Sequence, residues 1–483
     1  MVIDALKYQI LQQFGFVPTE EQGQALDAFA RFLTDRDPHA VMILRGSAGT
    51  GKTSLSGAIV RTLKAIRQKV MLLAPTGRAA KVFSLNSGCP AYTIHRRIYR
   101  EKSFVGVDGQ FNLNDNLFTD TLFMVDEASM ISNFGLGGGN FGSGCLLDDL
   151  VRFVYQGHND RLMLIGDKAQ LPPVGEEESP ALNRMMLEGY GLKVYECDLN
   201  EVLRQSQESG ILYNATVIRQ MITHDDITQL PLIRFKGFAD IVMMPGNELV
   251  ESLANSYYRV GQDETMVITR SNKRANIYNN GIRNMVLDRE DELSCGDMLM
   301  IVKNNYFWTE KERNEAKEAL NAIPPFLANG DRAKVLRVSR HMELYGFRFV
   351  TLLLQFPDYD NYEMSVTALL DTLQSEAPAL THEQQEQLFH GVEEDYQDVP
   401  LKADRMKAIR GDQYFNALQV KYAYAITCHK AQGGQWEHVY VDQGYMTDDM
   451  LTPDYIHWLY TAFTRAKDKL FLVNWPKTQT EQA

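Results

Sequence analysis

The residues best equipped for chemistry lie between Val41 and Ser56, in the stretch VMILRGSAGTGKTSLS. An apolar run from Val41 to Leu44 feeds a glycine-rich turn, and Lys52 and Thr53 then open a helical pattern. Gly46-x4-Gly51-Lys52-Thr53 in that strand-loop-helix setting is the spacing of a phosphate-binding loop. Its chemistry needs backbone N–H groups turned inward around a polyphosphate, and a Cβ would obstruct that approach. The helix N-terminus adds favourable partial charge. Lys52 can reach the β- and γ-phosphates, and the Thr53 hydroxyl can ligate Mg²⁺.

Other reactive side chains recur where buried strands end. After Thr121 to Val125 come Asp126 and Glu127, two acids suited to different tasks. Asp126 can hold Mg²⁺, usually through water, and Glu127 can orient or deprotonate an attacking water. After Arg161 to Ile165 comes Gly166-Asp167-Lys168-Ala169-Gln170-Leu171-Pro172-Pro173-Val174-Gly175, which puts Gln170 in a position to sense a γ-phosphate. The two prolines would stiffen a link from that sensor to a neighbouring site. Arg78, Lys81, His95 and Arg96 also follow strand ends, where ligands bind in parallel α/β sheets, although solvated surface cations would look the same. Gln22 carries two readings. It is N3 of a capping box headed by Thr19, and its amide could equally read an adenine edge.

The elements that must position these groups follow from periodicity. Helical spacing covers residues 1–36, and buried strands at Val41–Leu44, Val70–Ala74, Thr121–Val125 and Arg161–Ile165 alternate with helices. Residues 98–119 read as a β-hairpin turning at Asp108-Gly109, either an edge elaboration or a wedge. A second α/β unit is expected from Val194, with helices at Ile211–Ile222 and Glu248–Tyr258 and a strand at Met266–Thr269. From Gly296 short strands at Met298–Val302, Ala333–Val338 and Phe347–Leu354 suggest a small β-barrel, with helices at Ser365–Gln374 and Glu383–Phe389 set into it. The α/β texture returns at Leu418, with a helix expected over Tyr455–Ala466. The glycine-rich stretch 133–144 carries no assigned chemistry.

At 483 residues the chain exceeds one ordinary core, so two large domains and a smaller one are expected. Its five scattered cysteines lack metal-ligand spacing, no zinc site is visible, and neither a signal sequence nor a membrane span is read. A cytoplasmic protein is the expectation. The net charge of −13 argues at first against a nucleic-acid partner. Yet Pro357 to Leu401 holds eleven acids and no Lys or Arg, and without that block the charge is only −2. The block could mask a basic groove, dock a partner, or simply solubilise.

The ordered set GSAGTGKT, APTGRAAK, TIHR, DEASM, GDKAQLPPVG, EVLRQ, TRSN, TCHKAQGGQ and YTAFTRAK resembles a superfamily 1 helicase of the RecD/Dda-like branch, over Gln22 to Lys467. The resemblance implies two RecA-like parallel-sheet domains, with a hairpin insertion near 97–120 in the first and an SH3-like β-barrel insertion in the second. The expected bounds are 1–190 for the first domain, 191–290 with 418–483 for the second, and 291–417 for the barrel. It implies ATP with Mg²⁺ between the domains, held by Gln22, Gly46, Ser47, Ala48, Gly49, Thr50, Gly51, Lys52, Thr53, Ser54 and Gly434. Asp126, Glu127, Gln170, Arg204 and Arg465 would complete the chemistry, the two arginines neutralising charge on the transferred phosphoryl group from the opposite domain. Thr76, Arg78, His95, Asn272, Thr427 and His429 would line a track for single-stranded DNA, entered from a 5′-tailed duplex and followed 5′ to 3′ by a monomer. The hairpin would be a wedge and the barrel a clamp. RNA stays open as the track, because these motifs do not clearly read a 2′-hydroxyl. An ATPase that remodels nucleoprotein without unwinding is the alternative, and deleting 358–398 would separate the two.

Overall fold

The computed structural model describes residues 2–105, 108–134, 142–201, 208–224, 229–315, 323–324 and 326–481, with 101–111 described by backbone only. The first half is built on a six-stranded sheet of β1 (Ala40–Gly46), β2 (Lys69–Ala74), β3 (Ala91–Thr93), β6 (Thr121–Val125), β7 (Arg161–Gly166) and β8 (Lys193–Leu199). Their order is β3-β2-β6-β7-β1-β8 and every pairing is parallel. β1, β6 and β7 are buried throughout, which explains why they read as unbroken apolar runs: helices cover both faces of such a sheet. One face packs under helices Val2–Phe14, Glu20–Thr34 and Lys52–Ala65, and the other under Leu146–Gln156. The carboxyl ends of β1, β2, β6 and β7 therefore open on one edge, delivering the phosphate loop, Thr76, Asp126 and Gln170 to it.

β4 (Tyr99–Val105) and β5 (Asp108–Leu113) form the expected hairpin. Val105 pairs with Asp108 and Phe104 with Gly109, so Asp108-Gly109 lies in β5 and does not form the turn expected of it; residues 106–107 lie outside the described residues.

The second half has a five-stranded parallel sheet, β16 (Ala425–Thr427), β10 (Thr265–Thr269), β17 (Trp436–Asp442), β18 (Ala466–Val473) and β9 (Ile241–Met244), in that order. Between β10 and β16 in sequence lies a closed barrel of β11 (Met298–Ile301), β12 (Arg332–Leu344), β13 (Phe347–Phe356), β14 (Tyr362–Leu369) and β15 (Leu418–Tyr422). Irregularities at Val335/Arg337 and Ser339/His341 interrupt the long β12, which lets it bend around the small closure. The fold is thus α/β with two RecA-like sheets, a hairpin in the first half and a barrel in the second.

Four sequence expectations are corrected. β8 pairs with β1 along its whole length, so Val194–Leu199 completes the first sheet instead of opening the second half, and a first-domain boundary at 190 would cut through that sheet. β15 pairs with both β11 and β14, so the barrel closes on residues 418–422 and does not end at 417. Ser365–Gln374 is not helical: β14 runs to Leu369, because Met364, Val366 and Ala368 alternate into the barrel core. The last helix is Pro453–Phe463, and Ala466 already belongs to β18. Because β14 comes from the acidic block, excising 358–398 would open the barrel. That block also contributes a helix, His382–Asp395, that packs Leu388, Phe389 and Val392 under the barrel and exposes Glu383, Glu386 and Glu394.

Candidate nucleotide and strand site

The phosphate loop has the geometry its glycines predict. Gly49 and Gly51 adopt positive φ (78° and 76°), and Gly51 hands the chain directly into the helix Lys52–Ala65. A Cβ on Gly46 would stand 3.0 Å from Thr50 Oγ1, so only glycine lets the loop curl so tightly. Thr50 Oγ1 donates to the Ser47 carbonyl (2.8 Å) and Lys52 Nζ to the Gly46 carbonyl (2.8 Å), which pre-forms the loop. Thr53 and Ser54 face solvent. Gln22 performs its capping task and more: its Oε1 accepts from Thr19 N (3.0 Å) while its Nε2 donates to the Thr50 carbonyl (2.9 Å). The side chain just upstream of the loop is thereby fixed to it.

Two carboxylates, Asp126 and Asp167, lie within the electrostatic reach of Lys52, and Glu127 acts on both of them. Asp126 is buried at the end of β6, and burial, followed by the neighbouring Glu127 charge, raises its pKa to about 6 against the opposing pull of Lys52. Glu127 sits in the left-handed region (φ 52°), and its Oε2 is buried without a hydrogen-bond partner in the described structure. Asp167, which sequence reading passed over, is also buried, with a pKa raised by burial and opposed by Lys52. The adjacency of Asp167 to the end of β7 was the available signal. Gln170 is buried, with no partner for its Oε1 among the described residues. The buried Asp126 carboxylate and the exposed Thr53 hydroxyl are hard-oxygen donors of the kind that suit Mg²⁺ completed by phosphate oxygens and water. Among the described residues no group of three or more His, Cys, Asp or Glu could hold a metal by itself.

The second half reaches into this site through residues the sequence did not single out. Tyr460, on the helix Pro453–Phe463, accepts from the Ala48 amide (3.0 Å) and donates to Asp167 Oδ2 (2.6 Å). Arg219, on the helix Gly210–Thr223, donates to Ser47 Oγ and to the Asn200 carbonyl (3.3 Å). Thr461 Oγ1 accepts from Leu171 N (2.8 Å), and Gln432 Nε2 donates to the Leu171 carbonyl (2.7 Å). Arg465, in contrast, is buried within its own half, donating to the carbonyls of Thr461 (3.0 Å) and Gly434 (3.1 Å) and to Thr464 Oγ1 (3.1 Å). Gly434 holds Arg465 and abuts Arg78 and Trp436. Arg204 lies outside the described residues.

The residues expected to line a track are only partly gathered. Thr76, Arg78 and His429 share a cavity of about 180 Å³ with Arg332 from the barrel and Trp436 from β17. Thr76 also caps the helix Gly77–Ser87 through the Ala79 amide (3.2 Å). Thr427 precedes the short helix Cys428–Ala431 without making a side-chain cap. His95 lies against Tyr99, and burial holds its pKa near 4. Asn272 donates to the Glu376 carbonyl (3.3 Å), so the segment after β14 rests on its helix. None of those last three lines the cavity.

Comparison with known proteins bears on both halves. Residues 19–228 match the family described as an AAA domain, and residues 422–473 match the UvrD-like helicase C-terminal domain. The uncharacterised protein MJ1519 of Methanocaldococcus jannaschii is 33% identical over 171 residues, 33% of this chain and 14% of that protein. The ATP-dependent RecD2 DNA helicase of Deinococcus radiodurans is 32% identical over 157 residues, 32% of this chain and 18% of that helicase. The chain thus matches under a fifth of the length of these two relatives. Uncharacterised protein R530 of Acanthamoeba polyphaga mimivirus is 22% identical over 499 residues, covering 90% of this chain and 96% of that one. Among solved structures, a Bacteroides Pif1 helicase with ADP-AlF3 and ssDNA aligns at a TM-score of 0.47 and 14% identity, covering 97% of this chain and 95% of that one.

Proposed function

As the chain belongs to superfamily 1 of the helicases, on its RecD/Pif1-like side, we propose that it hydrolyses Mg-ATP between its two halves to travel 5′ to 3′ along single-stranded DNA and part the duplex ahead. The observation that carries this reading is the shared phosphate loop. Ala48 and Ser47 of the first half are held by Tyr460 and Arg219 of the second, so a nucleotide entering there must be felt by both.

In this reading Gly46 to Thr53 cradle the phosphates, Lys52 neutralises them, and Thr53 with Asp126 holds the metal, which offsets charge on the phosphoryl group. Glu127, with its unpartnered buried oxygen, orients water, and Gln170 senses the γ-phosphate. Arg204 and Arg465 complete the site from the second half, Arg465 by leaving its present bonds. The cleft closes on ATP and opens after hydrolysis, and unequal grip of the halves on phosphates and bases gives direction. The resemblance of the motif set to the RecD/Dda-like branch supports the polarity. The five free cysteines suit a reducing, cytoplasmic compartment, and no helix among the described residues is long and apolar enough to cross a membrane.

The test is a strand-displacement assay on 5′-tailed, 3′-tailed and blunt duplexes, alongside ATP turnover with and without single strands. Unwinding of the 5′-tailed substrate alone is expected. Lys52→Ala and Glu127→Gln should both abolish turnover, with only the second still trapping ATP. No stimulation of turnover by single strands at any salt concentration would overturn the proposal.

The exposed acids of the helix His382–Asp395 favour a second reading, a nucleoprotein remodeller docking a basic partner. Glu383→Gln, Glu386→Gln and Glu394→Gln together should leave unwinding intact if the first reading holds.

A further inference from the structure

The cavity shared by the first half, the barrel and the second half is lined by Arg78, Arg332 and Lys430 and by no Asp or Glu among the described residues. Its donors are unusual in what they lack. Arg78 Nε and Nη1, Arg332 Nε and Nη1, and the Trp436 indole Nε1 are buried and have no hydrogen-bond partner in the described structure. Each guanidinium spends one nitrogen on a carbonyl, Arg78 Nη2 on Gln435 (2.8 Å) and Arg332 Nη2 on Asp263 (2.9 Å). Neither has a carboxylate in hydrogen-bonded contact among the described residues.

Trp436 explains how two like charges tolerate the arrangement. The Arg78 guanidinium carbon stands 4.4 Å from its ring centroid and that of Arg332 5.8 Å, so the indole face supports both cations. Faces engaged in this way leave the N–H edges for something else. Asp263, Glu264 and Asp358 act on Arg78 electrostatically without lining the cavity. Burial, with Arg332 second, lowers the Arg78 pKa to about 10, and burial also lowers those of Lys430 and His429. Gly434 makes the approach feasible, since a Cβ there would stand 2.6 Å from the Trp436 ring and 3.0 Å from Arg78 Nε.

A pocket whose charged side chains are all cations, and whose unpartnered buried atoms among the described residues are all donors, suits a group that accepts through several oxygens and carries negative charge. Its volume is below that of ordinary small-molecule sites, enough for one small group rather than a cofactor. We propose that this cavity is a phosphate pocket in which Arg78 and Arg332, supported on Trp436, clamp one phosphodiester of a bound single strand and so tie the barrel to both halves. This rests on the proposed helicase reading for the source of the phosphate. A free phosphate has the same chemistry and is an alternative source.

The experiment measures fluorescence anisotropy of a labelled oligothymidylate over a salt series, together with the melting temperature in rising inorganic phosphate, without nucleotide. The wild type should bind, and Arg332→Gln should bind several-fold more weakly with the slope of log K against log salt shallower by about 0.7, the loss of one single-strand phosphate contact. Arg332→Lys keeps the charge and should restore the slope, which a merely structural role for Arg332 would not predict. Trp436→Phe keeps the ring face and should weaken binding with little change in slope. Phosphate-dependent stabilisation lost in Arg332→Gln, with strand slopes unchanged, would assign the pocket to the free anion. Wild-type binding with neither readout dependent on Arg332 overturns the pocket and leaves the helicase reading standing. Failure of the wild type to bind any strand defeats that reading instead, and the phosphate arm then decides the pocket alone.

Discussion

Arg219 and Tyr460 occupy the atoms of the phosphate loop that a nucleotide would need. The Tyr460 hydroxyl sits on the Ala48 amide, and a hydrogen bond between neutral groups contributes about 0.5–1.5 kcal/mol net. Tyr460→Phe should therefore bind a fluorescent ADP analogue a few-fold more tightly, measured by titration without DNA, because a competitor for that amide is gone. Arg219 is a guanidinium already at the loop through Ser47. Arg219→Ala should lower strand-stimulated kcat by about 10²-fold, less than the ~10³–10⁵ that a sole arginine finger supplies, since Arg204 and Arg465 remain. An unchanged kcat would show that Arg219 only props the empty loop. Neither residue was legible in the sequence. The phosphate loop, Asp126 and Gln170 could be read because local spacing fixes them at strand ends. Arg219 and Tyr460 reach the loop only across the closed cleft, and 172 and 412 residues separate them from their partners there.

At the scale of elements, the parallel sheets were readable because burial on both faces writes continuous apolar runs. Sheet membership was not, since β8 is an edge strand of mixed polar and apolar residues whose partner is settled by space and not by sequence order. The small barrel was legible, but two of its strands were not: β14 lies inside the acidic block, and β15 falls where the α/β texture was read as returning. The seam between barrel and first half holds a carboxyl group under tension. Asp331 Oδ2 accepts from Ala328 N and the Tyr359 hydroxyl (both 2.7 Å), its Oδ1 lies where a Cβ on Gly77 would clash, and burial raises its pKa to about 7. A folded-state pKa above the unfolded one means the fold binds more protons between roughly pH 4 and 7, so this group's contribution to stability falls as pH rises through that window. Asp331→Asn, which keeps the acceptor and removes the charge, should raise the melting temperature at pH 8 and lose that advantage at pH 5. Equal shifts at both pH values would refute the assignment.

For the whole molecule, the question is how two halves with separate cores act as one machine. The answer lies at Leu171, one residue beyond Gln170. Its N–H donates to Thr461 and its carbonyl accepts from Gln432, while the Ala169 carbonyl is held by His457 Nδ1 (2.9 Å). Ala169 and Leu171 are buried in the core cluster of the second half although their chain belongs to the first. The segment after β7 is thus gripped as if it were part of the other sheet, and any displacement between the halves is delivered to Gln170 within one peptide. Thr461→Val keeps the shape and strands a buried amide, at about 1–3 kcal/mol, and Gln432→Leu does the same for the carbonyl. Because both act on one residue, their effects on strand-stimulated turnover should be non-additive, with a coupling of about 0.5–3 kcal/mol in a double-mutant cycle. The same cycle on unstimulated turnover should give near zero if the grip transmits motion, since a lost signal matters only when a strand sends one. Equal coupling in both would mean that Leu171 merely glues the cleft shut.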